Sequence, residues 1–166
     1  MPMPDADFPR IKKDDLVADF PGVFDSARYL DVGVGWLPLV RDFVAEALPH
    51  DPSLCVHELK EKFGTLRIWS DTEIVAARLA KAKAEIKSGY VCEICGAAGY
   101  IRRPPPDRFA WWRCLCDEHA SEDQRSWGTR HQGPMYGYMQ TRDGQWYRYD
   151  DTTDSMLPSE PPARWR

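Results

Sequence analysis

Apolar residues recur at helical spacing in two stretches of the N-terminal part, which predicts two helices. The first covers residues 12–20 and ends at Pro21-Gly22, a pair that stops a helix. The second begins at Gly35, and Pro38 is compatible with its first turn because a proline there loses no hydrogen bond. Its apolar residues repeat every three or four positions and therefore share one face, which we assign to the core: Trp36, Val40, Phe43 and Ala47.

Two alternating stretches, residues 54–59 and 65–69, then predict a β-hairpin. In the second stretch Leu66 and Ile68 share a face, as the two-residue period of a strand requires. We assign the link at residues 60–64 to the turn because it ends in a glycine. Its three charged residues fit a solvated turn, and a charged loop presented to a partner is the alternative.

A third helix is predicted to follow the hairpin. Ser70 and Glu73 have the spacing of a capping box, in which each side chain bonds the backbone N–H of the other residue. The helix then extends to Ser88, with Gly89 as the residue just past its end. The predicted buried seam consists of Val75, Leu79, Ala82 and Ile86.

Four residues downstream have the spacing of a tetrahedral metal site. Cys92 and Cys95 form a CxxC pair, and Cys116 and His119 form a CxxH pair twenty residues later. Two such pairs are the usual ligand set of a structural Zn²⁺, so we predict one structural zinc per chain. Gly96 fits a left-handed position after the second ligand. Cys114 lies two positions before Cys116, on the same face of a regular strand, and is the alternative ligand.

The elements around these ligands predict a treble-clef or ribbon-like zinc unit. Strands are expected at residues 100–103 and 109–115, and a helix from residue 117 to about residue 127 carries the last ligand. The predicted fold class is α+β: a helix–hairpin–helix core at residues 1–89 fused to a zinc unit at residues 90–128. Residues 129–166 are assigned to a β-hairpin and an irregular tail.

The C-terminal hairpin is predicted from Asp143-Gly144, a strong two-residue turn signal between aromatic stretches. This turn pairs Thr141 with Trp146 and places Tyr138 on the opposite face, beside Tyr147 and Tyr149. Both faces are too aromatic for solvent, so one is expected to bind a partner. The candidate partner-binding residues are Trp146, Tyr147, Arg148 and Tyr149.

Composition narrows the class of protein. The chain has 166 residues, 43% of them hydrophobic, and a net charge of −4, which argues against a general electrostatic nucleic-acid binder. No apolar stretch reaches membrane-spanning length, and the N-terminus is unlike a signal peptide. With cysteines expected to be reduced, the predicted location is the cytoplasm.

Three stretches together resemble a family of small bacterial and phage proteins without an established activity. They are GWLPLV from Gly35, KEKFGTLRIW from Lys60, and CEICGAAG from Cys92 with CDEH from Cys116. The resemblance covers roughly residues 15–120. It implies the same four zinc ligands and leaves the C-terminal hairpin outside the shared part.

No set of residues typical of an enzyme is evident. The pair His57-Glu58 points to opposite faces of a strand, and Cys55 fits a small buried apolar residue better than a nucleophile. Trp, Tyr and Arg, which are enriched at interaction hot spots, are concentrated after residue 88. We therefore predict a non-enzymatic protein-binding module, of the immunity, antitoxin or anti-defence inhibitor type. The alternative is a nucleic-acid-binding regulator that uses Arg102, Arg103, Arg108 and Arg113 with Trp111 and Trp112.

Overall fold

Four α-helices and three small sheets make up residues 8–130 and 137–165, which this computed structural model describes. The mixed α+β class is thereby confirmed. The helices are α1 (Lys13–Asp19), α2 (Leu37–Ala47), α3 (Val75–Ser88) and α4 (Glu122–Ser126). The strands are β1 (Tyr29–Asp31), β2 (Val56–Lys62), β3 (Thr65–Ser70), β4 (Tyr100–Arg102), β5 (Arg113–Leu115), β6 (Thr129–Arg130), β7 (Tyr138–Gln140), β8 (Trp146–Asp150) and β9 (Ser155–Ser159).

The first sheet has the order β1-β2-β3, and its β1 strand was not predicted. Leu30 of this strand pairs with Leu59 in parallel register. A three-residue strand has too few positions to show alternation. Its parallel partner lies far along the chain, so the sequence around Leu30 carries no local signal of the pairing.

The β2–β3 turn is shorter than predicted. It consists of Phe63 and Gly64, with φ angles of 53° and 79°, and β2 extends through Lys62. Two left-handed residues match the twist of paired strands, so a two-residue loop closes the hairpin tightly. A left-handed phenylalanine is unusual, which is why this turn was missed. The charged residues at 60–62 therefore belong to a strand.

The predicted capping box before α3 is wrong. The helix begins at Val75 without a side-chain cap, and the Ile74 N–H donates instead to Thr72 Oγ1 at 3.3 Å. The predicted seam is also only partly correct, since Val75 is 44% exposed while Ala77, Ala80 and Ala84 are buried. Helix α3 packs on α2 on one side and on β3 on the other, so small residues line two faces.

Side chains of α3 also close the outer edge of β3. The backbone N–H groups of Leu66 and Ile68 donate to Ser88 Oγ and Glu85 Oε1, both at 2.8 Å. Lys81 Nζ donates to the Ile68 carbonyl oxygen at 3.0 Å. These bonds occupy groups that an added strand would need, so this edge is unsuited to strand pairing with a partner.

The hydrophobic core lies between the first sheet and helices α1, α2 and α3. Trp36, Phe24 and Phe43 are its largest fully buried side chains. Ile101 and Cys114, from the strands that follow the CxxC pair, belong to the same buried cluster. No helix in residues 8–130 or 137–165 has the length and apolar character needed to span a membrane.

The C-terminal sheet has the order β7-β8-β9, so the expectation of an irregular tail is wrong for Ser155–Ser159. The strand was missed because it contains Pro158, which a strand tolerates at a sheet edge. Tyr149 Oη and Lys87 Nζ both donate to Asp154 Oδ1, at 2.7 and 2.9 Å. The Lys87 bond attaches the C-terminal sheet to α3, and the Tyr149 bond holds Asp154 within the sheet.

The predicted hairpin register is wrong by one residue. Gln140, and not Thr141, is paired with Trp146. Thr141 N–H donates to the Gln145 carbonyl at 2.9 Å, and Gly144 is left-handed at φ 90°, so the loop is one residue longer than the two-residue turn. The shift moves Tyr138 onto the face of Trp146, and their rings meet edge to face at 6.5 Å.

Candidate metal centre

The CxxC pair lies on a tight knuckle. Val91 and Ala98 form a β-bridge that closes it, and the Cys92 N–H donates to the Ala97 carbonyl at 2.7 Å. The Gly96 N–H donates to the Cys92 carbonyl at 2.9 Å. Gly96 has φ 79°, which confirms the predicted left-handed position.

The second pair follows strand β5 directly, on a turn. The Ala120 N–H donates to the Cys116 carbonyl at 3.0 Å, which brings His119 back over Cys116. The predicted continuous helix from residue 117 is wrong, because α4 begins only at Glu122. Ser121 and Gln124 form a reciprocal capping box there, and this local signal for a helix start was overlooked.

The four predicted ligand residues converge. The Sγ atoms of the three cysteines and a ring nitrogen of His119 all lie within 4.8 Å of one another. Cys95 Sγ and Cys116 Sγ are 3.8 Å apart, and His119 Nδ1 lies 3.3 Å from Cys116 Sγ and 3.8 Å from Cys92 Sγ. Metal–sulfur bonds of about 2.3 Å and a metal–nitrogen bond of about 2.0 Å in a tetrahedron give ligand separations of about 3.5–3.8 Å. The cluster therefore fits one tetrahedral metal ion.

Cys114, the alternative ligand, faces elsewhere. It is fully buried in the hydrophobic core, where burial raises the pKa of its thiol to about 12. A thiol with this pKa is protonated at neutral pH and is a poor metal ligand. Cys116 lies beyond the end of β5, so the alternation that placed both cysteines on one face no longer applies to it.

The knuckle favours the thiolate form of Cys92. Burial by itself raises the pKa of this thiol, but backbone N–H groups of Cys116, Cys95 and Ile94 hydrogen-bond to its sulfur. Their combined effect is larger, so the pKa of Cys92 lies below its ordinary value. A thiolate held by backbone donors is the form that binds a metal.

A glycine-rich loop of the core contacts the back of the knuckle. The Gly35 N–H donates to the Glu93 carbonyl at 2.8 Å, and Trp36 Nε1 donates to the Val91 carbonyl at 2.9 Å. A Cβ atom on Gly35 would overlap the Cys92 carbonyl oxygen. The GW dipeptide thus has two roles here: the glycine permits close approach and the tryptophan joins the knuckle to the core.

A buried ion pair lies beneath the same knuckle. Arg113 Nη2 is 2.8 Å from Glu93 Oε2, and the two side chains are 7% and 1% exposed. Burial raises the pKa of Glu93 to about 7, although Arg113 and the Gly33 N–H oppose the shift. The pair joins the knuckle to β5. The sequence did not predict this ion pair, because its two residues lie far apart along the chain.

A second ion pair fixes the turn between the last two ligands. Arg102 Nη2 donates to Asp117 Oδ1 at 2.6 Å and to the Leu115 carbonyl at 3.3 Å. Arg102 is only 3% exposed, so its guanidinium is committed to this turn. Asp117 had no predicted role, because its partner is on another strand.

Comparison with known proteins gives no identification. No family model, curated protein or solved structure matches the chain.

The predicted partner-binding residues on β8 have mixed surroundings. Trp146 is half-buried between Tyr138 and Trp165, with ring centroids 6.5 and 6.4 Å away. Tyr147 and Tyr149 are also half-buried, and Arg148 is exposed.

A more exposed aromatic surface lies at the loop end of the β4–β5 strand pair. The loop from Arg103 to Trp112 joins β4 to β5 and faces the Phe63 turn, enclosing a groove of about 460 Å³. We call this the aromatic groove; its rings are Phe63, Phe109, Trp111 and Trp112. Phe63, Phe109 and Trp111 are 58%, 90% and 59% exposed. Sequence analysis identified the two tryptophans but did not bring them together with Phe63, since only the fold does so.

Proposed function

We propose that the four converging residues hold one structural Zn²⁺ in a ribbon-like or treble-clef unit. The order of knuckle, β4, β5 and ligand-bearing turn supports such a unit. Four protein ligands fill a tetrahedral shell and leave no position for a catalytic water, which supports a structural role. The metal would then join the start of β4 to the end of β5, and the loop of the aromatic groove projects from the opposite end of this strand pair.

The function that this arrangement supports best is binding to another protein, without catalysis. The observation that carries the proposal is the exposure of Phe63, Phe109 and Trp111 around one groove. Clustered exposed aromatic residues are typical of interaction sites and are unusual on a surface without a partner. Together with the net charge of −4, this supports an inhibitor of the immunity, antitoxin or anti-defence type.

The nucleic-acid alternative has weaker support, because most of the relevant arginines are already paired. Arg102 and Arg113 are buried with carboxylate partners, and Arg108 forms an ion pair with Asp123. Of the four arginines, this leaves Arg103. Affinity for a phosphate backbone grows with the number of cations that contact it, so one arginine without a carboxylate partner among residues 8–130 and 137–165 gives little.

Affinity purification of the tagged full chain from its source cells tests the proposal. We expect a single protein to co-purify in stoichiometric amount and to remain after nuclease treatment. Submicromolar binding to DNA or RNA at physiological salt, lost in Arg103→Ala, would instead favour the nucleic-acid alternative. Absence of any stoichiometric protein partner would contradict the proposed function.

A further inference from the structure

We propose that the aromatic groove binds an extended segment of the partner that carries a carboxylate next to large apolar side chains. This inference rests on the proposed protein-binding function and specifies its site and the chemistry of the bound segment. It places the main contact at the β4–β5 loop and not on β8.

The cations of the groove define the charge of the segment. Lys62 Nζ lies 5.7 Å from the centre of the Phe63 ring, and the Arg103 guanidinium lies 4.9 Å from the centre of the Trp112 ring. Within residues 8–130 and 137–165, neither cation forms an ion pair with a carboxylate. The carboxylate of Glu61, which also lines the groove, accepts the Gly64 N–H at 2.5 Å. The groove therefore offers two cations held over aromatic rings, and an acidic group complements them.

The rings supply the apolar part of the contact. Phe63 and Trp112 meet edge to face at 5.4 Å, and Phe109 and Trp111, which line the same groove, are 90% and 59% exposed. Large, stiff aromatic side chains lose little conformational entropy on binding. An apolar residue of the partner can therefore pack against these rings.

The loop that forms one wall of the groove is preorganised. Pro104, Pro105 and Pro106 each fix one backbone dihedral of the loop. The Arg108 N–H donates to the Pro105 carbonyl at 3.0 Å and closes a turn. A loop with few accessible conformations has a smaller ordering cost when it binds.

A single-stranded nucleic acid fits the same surface less well. Aromatic rings can stack on bases, but such sites also need a row of cations along the backbone. Here Asp107 lies within the loop, and Arg108 is already paired with Asp123 of α4. Two available cations favour one or two carboxylates over a polyanion.

The inference is tested by selecting displayed random peptides on the immobilised, metal-loaded full chain. We expect enrichment of peptides that combine Asp or Glu with Leu, Phe or Trp. A synthetic copy of a selected peptide should bind about 30-fold more weakly to Trp111→Ala, the loss typical of a hot-spot residue. Trp69→Ala is the matched control, because Trp69 is 55% exposed but lies on β3 outside the groove, and it should bind as the wild type does.

Charge reversal tests the carboxylate separately. The double variant Lys62→Glu/Arg103→Glu should no longer bind the acidic peptide. It should instead bind a version of the peptide in which Lys replaces Asp or Glu. Melting curves of each variant show whether the fold is kept.

Three results would overturn the inference. The first is enrichment of no peptide above the Trp111→Ala background, or of peptides without acidic residues. The second is a partner retained by Trp111→Ala but lost in Tyr147→Ala, which would keep protein binding and move the site to β8. The third is displacement of the peptide by a single-stranded oligonucleotide at physiological salt.

Discussion

The helix–sheet core and the metal-binding unit are stabilised in different ways. The core buries Trp36, Phe24, Phe43 and many aliphatic residues, so removal of apolar surface from water can stabilise it. The unit at residues 90–128 has its own buried cluster of only four residues: Cys92, Leu115, Cys116 and Ala120. Two of these belong to the candidate ligand set. We expect a unit with so little apolar burial of its own to depend on a bound metal and on contacts with the core.

The largest effect is expected from removing a ligand. Cys116→Ser should abolish metal binding and unfold residues 90–128, because structural zinc contributes about 10–16 kcal/mol in isolated zinc peptides. Hydrogen exchange should show fast exchange at β4 and β5 and continued protection in α2 and β2. Cys55→Ser is the control, since Cys55 lies outside the cluster and should leave both regions protected. Equal protection of β4 in Cys116→Ser and Cys55→Ser would show that the unit at residues 90–128 does not depend on its metal.

A core substitution should lower the stability of the fold and leave metal binding unchanged. Phe43→Ala removes a ring that is 1% exposed and is expected to lower the free energy of unfolding by about 3–5 kcal/mol. The metal content of the folded protein should stay unchanged. Chemical denaturation with metal analysis measures both quantities, and a loss of metal from the folded variant would show that the two regions are not separately stabilised.

The contact between the regions is tested by Gly35→Ala. The added methyl group would overlap the Cys92 carbonyl, so we expect a loss of about 1–3 kcal/mol from forced repacking. Gly128→Ala provides the matched control, because a Cβ there meets no atom within 4 Å. Thermal melts of the two variants should differ, and identical melting temperatures would mean that the core and knuckle are not in close contact.

The attachment of the C-terminal sheet should give the smallest effect. Burial by itself raises the pKa of Asp154, but hydrogen bonds from Lys87 and Tyr149 outweigh it and lower the pKa below its ordinary value. The ionised form therefore stabilises the fold at neutral pH, and this contribution is lost as the pH falls through that lowered pKa.

Asp154→Asn should thus cost about 0.5–1 kcal/mol at pH 7, as expected for a partly exposed pair. The difference from wild type should shrink as the pH falls from about 4, the ordinary pKa of Asp, through the lowered pKa of Asp154. Asp42→Asn, on the exposed face of α2, is the control. Chemical denaturation at several pH values measures the free energy of unfolding of both proteins. If wild type and Asp154→Asn differ by the same amount down to low pH, the charge of Asp154 does not stabilise the fold.

Local sequence predicted what depends on local geometry. The spacing of Cys92, Cys95, Cys116 and His119 was sufficient to predict the cluster that these residues form, because each pair is formed by one tight turn. The choice of Cys116 over Cys114 followed from a spacing rule, and in the structure Cys116 and not Cys114 belongs to the cluster.

Features that depend on distant residues were not predicted. Strand β1 pairs with a strand far along the chain, and the Glu93–Arg113 pair joins a knuckle to a later strand. The C-terminal register was missed because a one-residue change in loop length moves every side chain to the other face. The aromatic groove required the unusual backbone of Phe63, which places its ring opposite Trp112.

Metal analysis of the purified full chain tests the central claim most directly. We expect about one equivalent of zinc per chain for wild type and for Cys114→Ala, and none for Cys116→Ser. Cobalt substitution should give the visible spectrum of a tetrahedral site with three thiolates and one imidazole. Wild-type protein without bound metal, or zinc kept by Cys116→Ser and lost by Cys114→Ala, would contradict the account.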